Sequence, residues 1–176
     1  DIYLQSEAQD YCIVDRDAVI NYQDIVIIRY PTAPNSGKTI IKRVIGKGGD
    51  KISIFKTEDE NGESYFHVAR IKSGTTKVEI LEEDYINMNG DIPDWDMQSY
   101  VQLGVEYEKA FFEHYFSRNG EFYDDSHLDR KYVDGVGWVL FYKLEEDEIF
   151  YMGDNRANST DAREFGPVKV GDMVLG

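Results

Sequence analysis

The residues best equipped for chemistry crowd into one short stretch, "GDNRANSTDAREFG", from Gly153 to Gly166. Asp154, Asn155, Arg156, Asn158, Ser159, Asp161 and Arg163 supply carboxylates, amides, guanidinium groups and a hydroxyl within it. Read alone, it is a tight turn whose Asp, Asn and Arg side chains bond to nearby backbone. Asn158-Ser159-Thr160 also fits the three-residue glycosylation sequon, a weak pattern. A second stretch, "IIKRVIGKGGD" at 40–50, sets Lys42 in an apolar, β-branched run. Strand alternation puts Lys42 and Val44 on one face and Arg43 and Ile45 on the other. Burial disfavours an ammonium, so a lysine in such a run is suited to general-base work. A lysine that snorkels at a sheet edge is the commoner outcome of the same spacing.

These residues need a rigid frame, and the flanking sequence reads as strands. "YCIVD" (11–15), "DIVIIRY" (24–30) and "TIIKRVIG" (39–46) are apolar and rich in branched side chains. "PTAPNSG" (31–37) is a loop. Glycines 46, 48 and 49 permit positive φ or close backbone approach before the strand "KISIF". "KTEDENGESY" (56–65) is a polar hairpin turn with Asn61-Gly62 at its tip. "YFHVARI" (65–71), "KVEILEEDYINMNG" (77–90), "WVLFYKL" (138–144) and "EIFYM" (148–152) read as strands. The apolar spacing of Val101, Val105, Phe111, Phe112 and Phe116 predicts one helix over 99–117, and 118–137 reads as charged loop. The expected fold is mainly β, with a core domain over 1–57 and 136–176 and an inserted subdomain over 58–135 that is β-rich and carries the helix.

Bulk properties narrow the function. A net charge of −15 and the lack of a basic cluster exclude a nucleic-acid face. Acidic runs such as "EEDE" (145–148) read as solvated surface rather than metal ligands, and no cofactor or metal is implied. The single cysteine, Cys12, forms no internal disulfide and reads as a small buried hydrophobe. No motif ties it to His67, His114 or His127 as a cysteine protease would require. No apolar run is long enough to span a bilayer. The abrupt start at "DIYLQS" suggests an ectodomain cut from something longer.

Taken together, "QDIVIIRYP" (23–31), "KRVIGKGGD" (42–50) and "GDNRANSTDAREFG" (153–166) resemble, in order, three boxes of the type I signal peptidases, the S26 family. "DYINMNGDIP" (84–93) looks like a further strand of that family. The resemblance implies a signal-peptidase-like antiparallel β-fold with a serine–lysine dyad. Lys42 would match the general base and Ser159 the serine that hydrogen-bonds and orients it. Asp161 and Arg163 would match a supporting ion pair, and Arg43 a supporting residue. Gly153, Asp154, Asn155 and Arg156 would match the loop that carries it. Gly49 stands where the family has proline, or Lys47-Gly48 shifts that position, and Ala162 replaces a serine.

The family's nucleophile precedes a segment recognisable here as "QDYCIVDR" (9–16). Counting back without gaps puts Asp1 at the serine. A carboxylate there would favour the Lys42 ammonium, which takes no proton. Ser6 would need a five-residue slip that destroys this match. The resemblance therefore points to signal-peptidase-like proteins of Gram-positive pilus systems, implying a vestigial Lys42 base and pilin subunits or other secreted precursors as partners, with possible contact to the sortase machinery. They would work at the extracytoplasmic face of the cell membrane. An active peptidase with a serine upstream and an acidic adhesive β-domain are the alternatives.

Overall fold

The computed structural model describes residues 15–29, 39–58, 60–62, 64–86, 127–156, 159 and 161–174. They form a mainly antiparallel β-structure with little helix, as the sequence suggested. Strands β1 (Ile25–Arg29), β2 (Thr39–Lys47), β8 (Glu148–Met152) and β9 (Val168–Lys169) make a four-stranded sheet in the order β1-β2-β8-β9. A five-stranded sheet runs β5-β4-β3-β7-β6, from β3 (Lys51–Glu58), β4 (Ser64–Ile71), β5 (Glu79–Ile80), β6 (Leu128–Val133) and β7 (Gly137–Lys143). Its members come from both sides of the boundaries expected for the insertion, so β4, β5 and β6 share one ladder system with β3 and β7.

The two sheets bury their facing sides in one core. Val26, Ile28, Val44 and Ile45 of the first meet Ile52, Val68, Leu140 and Tyr142 of the second. Strand β8 is buried along its whole length, the mark of a strand covered on both faces. A register shift between Val44 and Gly46 leaves Ile45 without a partner on β8, so consecutive residues Val44 and Ile45 both enter the core. The bulge carbonyl of Ile45 accepts from the buried Arg70 Nη1 at 2.7 Å. At the β2–β3 turn Gly49 takes φ +78, and the buried Asp50 carboxylate accepts from the backbone N–H of Lys47 (3.0 Å) and Ser73 (2.8 Å). A second apolar cluster, including Phe55, Ala69, Val139 and Phe141, lies on the other face of the larger sheet.

Three local expectations change. Among the described residues of the 77–90 stretch, 77–86, only Glu79–Ile80 pairs as strand; the chain then turns, because Glu83 and Tyr85 are held by arginines of other segments. Residues 128–133, expected as loop, form edge strand β6, where Asp129 pairs with Lys51 on β3 and Tyr132 meets Trp138 edge-on at 5.8 Å. The stretch after β8 contains the short helix α1 (Ala162–Phe165), and α2 (Val170–Met173) follows β9. The strand at 11–15 apart from its last residue, the loop at 31–37 and the helix at 99–117 lie outside the described residues, as does the 87–90 end of the 77–90 strand.

Candidate active site

Lys42 sits on β2 opposite Val26 and is only 3% exposed. Its alternation with Arg43 is as expected: Lys42 and Val44 face the interior, and Arg43 faces out. The β2–β8 register pairs Arg43 with Met152. One step further places Lys42 opposite Gly153, the first residue past β8. A Cβ on Gly153 would lie 2.0 Å from Ser159 Oγ, 2.5 Å from Ser159 Cβ and 3.6 Å from Lys42 Nζ. Lys42 and Ser159 therefore approach each other across a gap that only glycine leaves open. Ser159 Oγ is buried and makes no hydrogen bond, so the two groups are neighbours without the bond that the resemblance implies.

The loop after β8 is held by buried charge. Asp161 caps α1, and its carboxylate is fully buried. Oδ2 accepts from Gly153 N–H (2.9 Å) and Arg163 Nη2 (3.0 Å); Oδ1 accepts from Arg163 N–H (3.1 Å) and Nε (2.9 Å). Burial pushes this carboxyl upward, but the Arg163 charge and the four hydrogen bonds outweigh it and hold it below the usual range. Arg163 Nη2 also reaches the carbonyls of Arg156 (3.0 Å) and Ser159 (3.3 Å), closing the loop on itself. Ala162 is fully buried in the core, so the missing serine hydroxyl falls at a packing position.

Two more arginines anchor the loop outside itself. Arg43 forks onto Asp154 (2.8 and 2.6 Å), donates to the Gln23 carbonyl (2.8 Å) and lies 4.2 Å from the Tyr85 ring centre. Arg156 is buried; its Nε donates to the Gly153 carbonyl (3.0 Å) and its Nη1 to Glu83 Oε2 (2.9 Å), while Nη2 bonds Glu83 Oε1. Tyr85 O–H donates to the same Glu83 carboxylate (2.9 Å). Burial, then the Glu83 charge, push the Tyr85 phenol well above its usual range. Asn155 is exposed. Lys42, Arg43, Gly153, Asp154, Arg156, Ser159, Asp161 and Arg163 thus lie together in the structure, while Asp1 lies outside the described residues. Sequence reasoning missed Glu83 and Tyr85. No spacing marks a partner 73 residues away, and "LEEDY" read as strand.

A β2 lysine beside a glycine-serine wall, on a mainly antiparallel frame, is the class of site that the geometry defines. Comparison identifies the class. The family model described as signal peptidase, peptidase S26, matches residues 5–175, and the chain belongs to that family. It is 27% identical over 147 residues to signal peptidase I of Aquifex aeolicus (strain VF5), a match covering 81% of this chain and 56% of that protein. The chain thus spans little more than half the length of that relative. A crystal structure of a signal peptidase I from Enterococcus faecalis V583 aligns over 90% of this chain and 98% of its own, at 20% identity and a TM-score of 0.42. Among the described residues no helix is long and apolar enough to cross a membrane.

Proposed function

We propose that this chain is a signal-peptidase-fold module that holds an extended segment of a secreted precursor beside Lys42 without cutting it. The client is a pilin subunit of a Gram-positive pilus, handed on to sortase-driven polymerisation at the extracytoplasmic face of the membrane. In this the chain resembles the streptococcal pilin assembly factor SipA. The observation that carries the reading is the residue at the nucleophile register, Asp1, which offers a carboxylate where the family has a hydroxyl. A carboxylate near Lys42 favours the ammonium and has no proton to surrender, so an aspartate at that register would make an ion pair where the family has a dyad. Binding survives that change, because strand addition draws on backbone hydrogen bonds and side-chain pockets rather than on the nucleophile.

A second reading, an active Ser/Lys peptidase, is favoured by one observation: the Lys42 wall of Gly153 and Ser159 is retained together with its ion pairs. The test is a signal-peptide cleavage assay in detergent or lipid on the full-length protein, its Asp1→Ser variant and its Lys42→Ala variant. The expected result is no cleavage by the unmodified protein, with pilin binding still measurable by calorimetry. Cleavage that vanishes in Lys42→Ala would overturn the proposal and establish the peptidase.

A further inference from the structure

Gly153 is held at both of its peptide groups. Its N–H donates to Asp161, and its carbonyl accepts from Arg156 Nε. Each holder is half of a buried ion pair, Asp161 with Arg163 and Arg156 with Glu83. The first pair is local, two residues apart and inside the loop. The second brings in Glu83 from the segment after β5, and both side chains are more than nine-tenths buried. Tyr85 adds its hydroxyl to Glu83 and its ring to Arg43, whose guanidinium also forks onto Asp154 of the same loop. Segment 83–85 therefore touches the loop through both arginine anchors.

We propose that Glu83 is a positioning residue for the Lys42 site: through Arg156 it fixes the Gly153 carbonyl and so the wall that faces Lys42 and Ser159. Segment 83–85 lies within the 58–135 span expected as an insertion, so this part of that span is joined to the site through Arg156 and Arg43. An arginine fork on a carboxylate fixes direction as well as distance, which a single lysine contact would not. Without Glu83, Arg156 turns toward water or another carbonyl, and Gly153 loses one of its two holders. This inference rests on the reading of Lys42 as the working site, but its readout involves neither pilin nor cleavage.

The test is amide hydrogen exchange at Gly153 in the intact protein, with β3–β4 amides such as Val68 as the global reference. Glu83→Gln removes the charge and one fork bond. The expected result is Gly153 exchange about tenfold faster relative to Val68, as for loss of one net hydrogen bond. Glu79→Ala, which breaks a pair with Arg70 and Lys72 on the larger sheet, should leave the ratio unchanged. The decisive variant is Glu83→Gln with Arg156→Met, which leaves no unpaired buried charge and should recover most of the stability. A purely structural role predicts that Gly153 protection recovers with it; a positioning role predicts that it stays lost, because the donor to the Gly153 carbonyl is gone. Protection that returns in the double variant, or a Gly153/Val68 ratio unchanged in Glu83→Gln, overturns the proposal. If Glu83→Gln does not fold, Tyr85→Phe removes only the hydroxyl bond to Glu83 and should shift the ratio in the same direction by a smaller factor.

Discussion

The two ends of β8 both gather charge, and they use it differently. At the start of the strand, Lys169 reaches Glu145 (3.3 Å) and Asp147 (2.9 Å), with all three side chains at least a third exposed. At its end, Asp161 with Arg163 and Arg156 with Glu83 are almost wholly excluded from water. Water at the first end screens the pair and lets either partner leave at little cost. At the second end, each charge depends on its partner, since an ion left alone there cannot be solvated. The same chemistry therefore gives solubility at one end and a rigid wall for Lys42 at the other. Glu148 departs from the surface reading of "EEDE": it is 1% exposed, and its carboxylate accepts from Glu145 N–H at 3.0 Å, closing the turn before β8.

The strongest way to break this contrast is to orphan a buried ion. Asp161→Ala leaves Arg163 buried without its carboxylate and removes the acceptor for Gly153 N–H. Urea denaturation should show a loss of about 3–5 kcal/mol. A loss near that of a surface pair would mean that the loop opens to water and that the burial does not persist in solution.

Gly153→Ala should be the next largest effect. The new Cβ would collide with Ser159, and overpacking of this kind costs about 1–3 kcal/mol. Combining it with Ser159→Gly removes the collision and should restore most of the stability, a coupling that a double-mutant cycle measures directly. Additive losses would mean that Ser159 does not face Gly153.

Acid should separate the two ends as well. Asp161 is held below its usual range in the folded chain, so its contribution is present above the unfolded carboxylate range near pH 4 and lost as pH falls towards its folded value. Lys169 is raised above its ordinary value, chiefly by its bond to Asp147. Its contribution is present below the unfolded lysine range and lost as pH rises through the folded value. Stability measured from pH 6 to 3 should therefore fall less steeply in Asp161→Asn than in the unmodified protein, and Lys169→Ala should leave that slope alone.

How far the sequence carried the reading follows the same division. The strands and the polar loop were legible because their chemistry is local: a β-branched run, a glycine turn and a polar stretch; the place of Lys42 beside that loop came from the family resemblance, since spacing alone favoured a snorkelling lysine. Glu83 was not, because its partner is set by the return of a distant segment, and an acidic residue in "LEEDY" looks like any solvated one. Edge strand β6 was hidden for a related reason. Its alternation is masked by charges that are satisfied across the sheet, as Asp129 is by Lys51. The bulge at Ile45 left no signal in a run of similar aliphatic residues, yet it sends both Val44 and Ile45 into the core.

The smallest effect sharpens the comparison most. Lys169→Ala removes the cation that Glu145 and Asp147 share, a pair of contacts as close as several at the other end of β8. Distance alone would rank it with Arg163. Solvent access ranks it far lower, because the two carboxylates remain hydrated and the alanine gives back side-chain entropy. Differential scanning calorimetry should place its Tm within error of the unmodified protein at moderate salt, and a slight fall should emerge only at low ionic strength. A clear drop at moderate salt would mean that β9 depends on this pair to stay docked on β8. Burial would then not be what separates the two ends, and the energetic argument for the Lys42 wall would need a different basis.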